Sequence, residues 1–502
     1  MKTSLLISLL LIIEPLGILA QQKPNIVFIY ADDLGYGDIS CYGATKINTP
    51  HIDALAKNGL LFTNVHASSA TCTPSRYSLL TGQYAWRKQG TGVTPGDAAL
   101  LIKPGSVTLP AVLHNSGYIT AAIGKWHLGL GDENGPDWNG SIKPGPLEIG
   151  FDYSFIIPAT GDRVPCVFVE NHTVVGLDKN DPINVSYKIK LKDAIQYDQN
   201  NAVMKSSNGH NQSLINGIGR IGYMTGGRSA LWKDEEIANT LTSKASHFII
   251  ENKSKPFFLY LATHDIHVPR VPNKKFIGKS GMGARGDAIL QLDWTVGKIK
   301  SLLDSLHLTK NTILIFSSDN GPVLDDGYAD SAVEKLNGHT PAGPLRGGKY
   351  SVFDAGTCVP FIISYPGKIK QDVSDALISQ VDLLASFASL CNYPLTMNDA
   401  PDSYDLLDVL LGKTKKGRDH LIEHAGTFAV IQANWKYIEP SNREPYDKYV
   451  NIELGNNKLP QLYDLQKDRG EKNNLAEKYP DKINELAEVL KKVKAPSFRI
   501  RN

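Results

Sequence analysis

The segment TCTPSRYSLLTG, residues 71–82, carries the residue types that point most directly to chemistry. Cys72 lies shortly before Arg76, and the Thr81–Gly82 pair behind them is typical of a turn. A thiol in this position could be half of a disulfide, a nucleophile, or the precursor of a modified residue. The residue types alone leave these uses open.

Two acidic pairs follow apolar runs of the chain. Asp32–Asp33 comes directly after NIVFIY, and Asp319–Asn320 follows TILIFSS. Adjacent buried carboxylates repel one another and lose hydration, which is costly unless a cation lies beside them. A single acidic pair also occurs as a loop or a cap. Together, the carboxylates and the amide oxygen form an all-oxygen set that suits Ca²⁺ or Mg²⁺ better than zinc.

Several basic and histidine side chains could accompany this acidic set. They are Arg76, Lys125 and His127 in GKWHLG, His267 in HDIHVP, and Lys349 in LRGGKYSVFDAG. Each alone is typical of a solvated residue or a hydrogen-bonded core residue. If they converge beside a metal, they would surround a tetrahedral oxyanion with donors and place an acid beside its ester oxygen.

The elements that must position these residues alternate between strand-like and helix-like patterns. Short apolar runs at 25–30, 256–262, 312–318 and 359–366 predict buried strands. The segments from His51 and at 288–306 have helical spacing of apolar residues. This alternation predicts a layered α/β domain whose ligand sites lie beyond the carboxyl ends of the strands, where the acidic pairs and His264 and His267 fall.

The chain changes character from about Asp419. Short antiparallel strands are predicted in HLIEHAG, FAVIQANWKYIE and QLYDL. The helix predicted in DKINELAEVLKKVK has one apolar stripe, formed by Ile483, Leu486, Val489, Leu490 and Val493. We therefore expect a catalytic domain over residues 24–395 and a smaller C-terminal α+β subdomain over residues 396–502.

The beginning of the chain is typical of a secretory signal. Met1 and Lys2 precede the apolar run LLISLLLII, which Glu14 and Pro15 interrupt before it reaches the roughly 20 residues of a membrane anchor. We expect a signal peptide over residues 1–20 with cleavage near Ala20. The mature protein would then be periplasmic or secreted and not held in a membrane.

Composition excludes one class of partner and limits the role of disulfides. Lys and Arg number 53 against 51 Asp and Glu, so overall charge does not indicate nucleic-acid binding. Five cysteines leave at least one unpaired in an exported protein, and any pairing among the four outside the motif stays open. Those four are Cys41, Cys166, Cys358 and Cys391.

The segment CTPSRYSLLTG resembles the C-x-P-S-R-x-x-x-L-T-G signature of the type I, formylglycine-dependent sulfatases of the alkaline-phosphatase-like superfamily. GKWHLG, SDNGP and RGGK are similar to further motifs of that family in the same order, and the resemblance to arylsulfatase A-like carbohydrate sulfatases covers roughly residues 24–480. It implies a large mixed-sheet α/β sandwich with a smaller C-terminal subdomain of antiparallel sheet and helix.

The resemblance also implies what becomes of Cys72. In this family a maturase oxidises the motif cysteine to Cα-formylglycine (3-oxoalanine), whose aldehyde hydrates to a diol. A diol oxygen that attacks sulfur can later expel sulfate by re-forming the aldehyde, whereas a thiolate would be left as a stable thiosulfate ester. Cys72 would then be neither a disulfide half nor a thiol nucleophile.

The family pattern assigns roles to the other motif residues. One Ca²⁺ would be held by residue 72 together with Asp32, Asp33, Asp319 and Asn320. Arg76 would hold the modified residue, Lys125 and Lys349 would bind sulfate oxygens, His267 or Lys349 would protonate the leaving alkoxide, and His127 would act as the base. Lysine and histidine occupy the region where a second metal's ligands would be expected, which favours a sulfate over a phosphate monoester.

Substrate residues are predicted less directly. We expect Thr160, Asp162, Arg163 and His264 to contact substrate, although an Asp162–Arg163 pair is also typical of a structural salt bridge. The Gly- and Asn-rich segment at about 200–230 is predicted to be a long surface loop bordering the site. The expected function is removal of sulfate from a sulfated glycan or glycosaminoglycan fragment. The alternatives are a phosphodiesterase or phosphonate monoester hydrolase, and a non-catalytic binder of sulfated glycans.

Overall fold

The computed structural model of the chain describes residues 23–500. The predicted signal peptide over residues 1–20 lies outside the described residues. The α-helices are α1 (Pro50–Lys57), α2 (Cys72–Thr81), α3 (Leu109–Asn115), α4 (Ile237–Asn252), α5 (Gly283–Ser305), α6 (Leu383–Leu390), α7 (Leu407–Leu410) and α8 (Pro480–Lys494).

The strands are short except in the centre of the chain's main sheet. They are β1 (Asn25–Ala31), β2 (Leu60–Phe62), β3 (Val65–His66), β4 (Ile119–Lys125), β5 (Tyr153–Ile157), β6 (Val169–Glu170), β7 (Thr173–Val174), β8 (Asn184–Ser186), β9 (Ser213–Ile215), β10 (Ile218–Arg220), β11 (Tyr223–Thr225), β12 (Phe257–Ala262), β13 (Thr312–Ser318), β14 (Phe361–Ser364), β15 (Asp372–Ser374), β16 (Ile378–Ser379), β17 (His420–His424), β18 (Phe428–Gln432), β19 (Trp435–Ile438), β20 (Tyr446–Asp447), β21 (Ile452–Glu453) and β22 (Gln461–Asp464).

Ten strands form the main sheet in the order β15-β2-β14-β13-β1-β12-β4-β5-β6-β7. The run from β13 to β5 is parallel, while β14, β6 and β7 pair antiparallel with their neighbours. Every residue of β1, β12 and β13 is buried, because helices cover both faces of the sheet. Helix α5 packs against α1 and α4, and α6 packs against α2 and α3.

The parallel register brings several strand ends to one edge of the sheet. Ala31 at the end of β1 pairs with Ser318 at the end of β13, and Tyr30 pairs with Ala262 at the end of β12. Residues that follow these strands therefore emerge side by side. This edge is where the sequence predicted a ligand site.

A second, four-stranded antiparallel sheet has the order β17-β18-β19-β22, and α8 packs on β18 and β19. Leu486, Leu490 and Val493 of the predicted stripe are buried there, while Ile483 and Val489 are half-buried. The expected fold class, a large mixed-sheet α/β sandwich with a smaller C-terminal antiparallel sheet and helix, is confirmed.

The segment at 200–230 differs from the predicted loop. It contains β9, β10 and β11, and Arg220 is fully buried with its guanidinium 2.8 Å from Asp234. Strands of three residues are too short to show a period of two, which is why the sequence pattern did not indicate them.

Two further observations concern the cysteines and membrane-spanning segments. All five cysteines are free thiols. Within residues 23–500, no helix has the length and apolar character that a membrane crossing requires.

Candidate active site

The two acidic pairs meet at the carboxyl edge of the main sheet. Asp32 and Asp33 follow β1, Asp319 and Asn320 follow β13, and all four side chains are fully buried. The Asn320 amide nitrogen donates to Asp33 Oδ1 at 2.7 Å, and the Asp33 backbone N–H donates to Asp319 Oδ1 at 3.3 Å. The prediction that adjacent strands bring these residues together agrees with this geometry.

Two oxygens of this acidic set lack a hydrogen-bond donor. Asp32 Oδ1 and Asn320 Oδ1 are buried without a partner among the described residues, which is rare for polar atoms in a folded protein. Burial, reinforced by Asp319 and Asp33, raises the pKa of Asp32 well above its ordinary value, although Lys125 opposes this shift. A hard cation would satisfy both oxygens and favour ionised Asp32. The acidic groups could therefore hold a metal.

Three cations surround these carboxylates. Lys125, the last residue of β4, donates to Asp32 Oδ2 at 2.6 Å. Arg76 in α2 donates to Asp319 Oδ2 through Nε and Nη2, at 2.9 and 2.7 Å. Lys349 donates to Asp33 Oδ2 at 2.9 Å, so each carboxylate has a cationic neighbour.

Cys72 opens helix α2 and is 2% exposed. Its thiol donates to His127 Nδ1 at 3.2 Å, while His127 Nε2–H donates to the Thr94 carbonyl at 3.0 Å. This second bond fixes the tautomer, because it leaves Nδ1 as the acceptor facing residue 72. His127 has a positive φ of 56°, which is uncommon for a residue other than glycine.

The pKa values of this pair favour neutral groups. Burial raises the pKa of Cys72, although Lys125 and Lys349 oppose the shift. Burial and the charge of Lys125 hold the pKa of His127 well below its ordinary value. The unmodified thiol is therefore poorly suited to act as a thiolate, whereas neutral His127 is suited to accept a proton.

His267 and Lys349 form a second donor–acceptor pair. His267 Nδ1–H donates to the Val268 carbonyl at 2.6 Å, so Nε2 is free to accept from Lys349 Nζ at 3.3 Å. Burial, followed by the charges of Lys349 and Lys125, lowers the pKa of His267 well below its usual range. Asp326 at 2.8 Å and Asp33 keep the pKa of Lys349 high although burial opposes them, so the proton of this pair resides on Lys349.

The comparisons with known proteins point to the same enzyme family as the motifs. The sulfatase family model matches residues 24–393. An N-acetylgalactosamine-6-O-sulfatase of Bacteroides thetaiotaomicron is 56% identical over 477 residues, covering 94% of this chain and 93% of the relative. Human arylsulfatase A is 31% identical, covering 95% of this chain and 88% of the relative.

The chain belongs to the sulfatase family. A solved structure from work on the metabolism of multiple glycosaminoglycans by Bacteroides thetaiotaomicron superposes with a TM-score of 0.93 at 56% identity, covering 94% of this chain and 99% of that one. The resemblance inferred from the motifs is therefore confirmed, and with it the expected enzyme class, a sulfuric ester hydrolase.

In this sulfatase three of the predicted substrate residues follow strand β5, and the fourth, His264, follows strand β12. Asp162 is 2% exposed and accepts from Arg163 Nη1 at 2.8 Å. Thr160 is fully buried and its hydroxyl accepts from the same Arg163 nitrogen at 3.3 Å. His264 is 8% exposed, and its Nε2 has no hydrogen-bond partner among residues 23–500. The expected salt bridge between Asp162 and Arg163 is thus present. His264 takes no part in it, and its Nε2 can bind a further group.

The sequence pattern did not indicate three residues of this region. His210 donates through Nε2 to Asp162 Oδ2 at 2.9 Å, Asp326 holds Lys349, and the Thr94 carbonyl orients His127. Arg163 and His210 hold the pKa of Asp162 well below its usual range although burial opposes them. The available signal for His210 was its place in the Gly- and Asn-rich segment expected to border the site.

Proposed function

We propose that this sulfatase removes sulfate from a carbohydrate and that N-acetylgalactosamine 6-sulfate is the first substrate to test. The observation that carries the proposal is the contact of Cys72 with His127 Nδ1, beside a buried acidic set with two unpartnered oxygens. The relative of 56% identity, an N-acetylgalactosamine-6-O-sulfatase, supports the choice of sugar.

We also propose that a maturase converts Cys72 to Cα-formylglycine and that one Ca²⁺ is held by Asp32, Asp33, Asp319 and Asn320. The cation's fit is supported by the free oxygens of Asp32 and Asn320. When bound, Ca²⁺ would polarise the sulfate ester and lower the pKa of the hydrated aldehyde.

His127 is the proposed base. Its Nδ1 faces the side chain of residue 72, and the Thr94 carbonyl keeps the opposite nitrogen protonated. Nδ1 can therefore take a proton from a hydroxyl of the modified residue. The low pKa of His127 keeps this nitrogen unprotonated at neutral pH.

Lys349 is the proposed acid, and the other cations bind and orient. The Lys349 ammonium can give a proton to the leaving sugar oxygen, while His267 and Asp326 fix its position. Lys125 and Lys349 offer donors to sulfate oxygens, and Arg76 holds Asp319 in place through two hydrogen bonds.

Recognition of the sugar is assigned to Asp162, Arg163, His210 and His264, with Thr160 supporting Arg163. The carboxylate and the imidazoles supply paired acceptors and donors, which is what adjacent sugar hydroxyls require. His264 Nε2 is the candidate for a direct hydrogen bond, because it has no partner in the described chain.

The test is release of sulfate from matched sulfated sugars by protein produced with and without a maturase. We expect turnover of N-acetylgalactosamine 6-sulfate, with a smaller kcat/KM for the 4-sulfate and for an aryl phosphate diester. Mass spectrometry of the peptide holding residue 72 should show conversion only in the active preparation. Faster hydrolysis of the phosphate diester would favour the phosphodiesterase alternative, and saturable binding without sulfate release would favour a glycan binder.

Two organisational predictions accompany this function. We propose that the protein is exported, with its signal peptide over residues 1–20. We also propose that residues 24–395 form the catalytic domain and residues 396–502 the C-terminal subdomain, a division supported by the separate sheet that begins at His420.

A further inference from the structure

A cleft of about 650 Å³ lies between the start of helix α2 and the loops of the C-terminal sheet. Residues of both parts of the chain line it, including Thr71, Trp86, Tyr350, His424, Arg443 and Asn456. Its volume is within the usual range for small-molecule sites, roughly 300–1,000 Å³.

We propose that this cleft is a subsite for a second sugar, the one joined to the sulfated unit. The inference rests on the proposed function, since it assumes a sulfated carbohydrate at the catalytic centre. It assigns to the C-terminal subdomain a part in reading the substrate, so the enzyme would prefer an oligosaccharide to a sulfated monosaccharide.

The cleft adjoins the catalytic centre through two chain neighbours. Thr71 directly precedes Cys72, and Tyr350 directly follows Lys349. The Tyr350 hydroxyl donates to Asp326 Oδ1 at 3.2 Å, and Asp326 in turn accepts from Lys349 at 2.8 Å. One carboxylate, that of Asp326, therefore links Tyr350 in the wall of the cleft to Lys349 of the catalytic centre.

Asn456 carries an unused acceptor in the wall of the cleft. It is 6% exposed, and its amide nitrogen donates to the Glu444 carbonyl at 2.8 Å. Its Oδ1 is buried without a partner among the described residues. A buried amide oxygen without a donor is costly, and a ligand hydroxyl would remove that cost.

His424 and Arg443 add unused groups of different kinds. The His424 ring makes no hydrogen bond within residues 23–500, and burial, followed by Arg443 and Lys494, lowers its pKa to about 4. His424 is therefore neutral and can either donate or accept. Arg443 is exposed and has no ion pair within the same residues, although Glu444 and Asp447 also line the cleft. Such a mixture of donors and acceptors suits the hydroxyls of a sugar.

Trp86 adds an aromatic side chain to the wall of the cleft. Its ring is stacked on Tyr84 at 5.5 Å and meets the edge-on ring of Phe428 at 5.3 Å. These contacts hold it in place, and its Nε1–H has no acceptor in the described chain. The Arg87 guanidinium also lies over this ring at 4.4 Å, so Trp86 contributes its Nε1–H and the edge of the indole to the cleft.

The experiment compares kcat/KM for N-acetylgalactosamine 6-sulfate with that for a tetrasaccharide ending in the same unit. We expect the wild-type ratio to favour the tetrasaccharide by about 10-fold or more, since tenfold corresponds to about 1.4 kcal/mol, within reach of one or two added hydrogen bonds. Arg443→Ala and Asn456→Ala should each bring the ratio toward one. Arg443 is exposed, so its variant does not depend on the tolerance of a buried site.

Lys458→Ala is the matched control, because Lys458 is an exposed cation of the same subdomain that does not line the cleft. It should keep the wild-type ratio. A ratio near one in the wild-type enzyme, or a ratio unchanged in Arg443→Ala, would overturn the subsite while leaving the proposed function intact. If neither substrate releases sulfate, calorimetry with the tetrasaccharide decides: binding weakened in both variants supports the subsite, and no binding by the wild type refutes it.

Discussion

Two regions of this protein bury several carboxyl groups together. The cost of burying their charge is offset in a different way in each region. At the carboxyl edge of the main sheet, the site cluster consists of Asp32, Asp33 and Asp319 with Arg76, Lys125 and Lys349. At the C-terminal sheet, the Lys436 cluster consists of Asp354, Glu423 and Glu471 around Lys436, with His66 beside Glu423.

The Lys436 cluster is filled by a cation of the protein itself. Lys436 Nζ lies 2.8 Å from Asp354, 2.8 Å from Glu423 and 3.2 Å from Glu471, and His66 Nδ1 lies 3.0 Å from Glu423. The ligand atoms of His66, Asp354 and Glu423 are close enough together to hold a metal, but the ammonium already occupies their carboxylates. Strands β3, β17 and β19 are joined by these contacts.

In the Lys436 cluster, Glu423 Oε2 and Glu471 Oε1 accept no hydrogen bond from the described residues either, but they lie 2.8 and 3.2 Å from the Lys436 ammonium. The site cluster differs because the two oxygens without a hydrogen bond have no such ion pair with any described residue. Lys125 binds only one oxygen of Asp32, and Oδ1 remains without a partner, as does Asn320 Oδ1. The site cluster also lies close to Cys72, since the charges of Lys125 and Lys349 oppose the rise that burial causes in the pKa of its thiol. Buried charge alone therefore does not indicate catalysis. Buried oxygens without a hydrogen-bond partner, next to a reactive side chain, are the feature that indicates catalysis.

The largest expected effect is loss of the reactive group at the site cluster. Cys72→Ala should reduce sulfate release by about 10³-fold or more, because the nucleophile and its base act as a unit. Its unfolding midpoint should stay near that of the wild type, since alanine fits the start of helix α2. Paired rate and circular dichroism measurements check both parts, and turnover that survives the substitution would separate residue 72 from catalysis.

The next effect concerns the Lys436 cluster and should appear in stability. Lys436→Met leaves buried carboxylates without their cation and should cost roughly 3–5 kcal/mol of unfolding free energy. Denaturant titration measures this loss, and kcat of the protein that remains folded should change little. A variant of normal stability with a reduced kcat would contradict a purely structural role for this cluster.

Calcium should distinguish the two clusters directly. Addition of Ca²⁺ to EDTA-treated protein at about 100 times its dissociation constant should stabilise the fold by about 2.7 kcal/mol. Asp33→Asn should lose most of this gain, while Glu423→Gln should retain it. Thermal unfolding with and without Ca²⁺ provides the comparison, and an equal gain in both variants would place the ion elsewhere.

The smallest effect is a change in pH dependence. Burial raises the pKa of Glu471 from 4.5 to about 8, against the opposing charge of Lys436 and with support from Asp354 and Glu423. The folded protein thus keeps a proton that the unfolded chain has released. This contribution to stability is complete below about pH 4.5 and declines as pH rises toward 8. Glu471→Gln should flatten that decline in unfolding midpoints measured from pH 5 to 8, and an unaltered slope would assign it to other groups.

The sequence predicted those elements of the fold that a local pattern of residues indicates. Strands β1, β12 and β13 are continuous apolar runs, as buried parallel strands must be. Strand β4 was missed because ITAAIGK is rich in small residues. Helix α2 was missed because all ten of its residues are buried, the polar ones included, so its sequence shows no apolar stripe opposite an exposed face.

The site was predictable to a similar degree. The acidic pairs could be found from their position after buried strands, and motif resemblance supplied Cys72, Lys125 and His127. His210 could not be found in this way, because 48 residues of chain separate it from Asp162 and only tertiary packing joins them. Asp326 and the Thr94 carbonyl likewise act through contacts that no local pattern encodes.

The residues proposed for bond cleavage and those proposed for sugar selection belong to different kinds of backbone in this protein. The acidic pairs and Lys125 are anchored at the ends of β1, β4 and β13, where a shift of one residue would misplace them. His210 and Arg443 instead belong to connections outside the main sheet, which can vary in length and sequence without moving a central strand. Grafting these connections between homologues offers a route to new sugar preferences with the same desulfation chemistry.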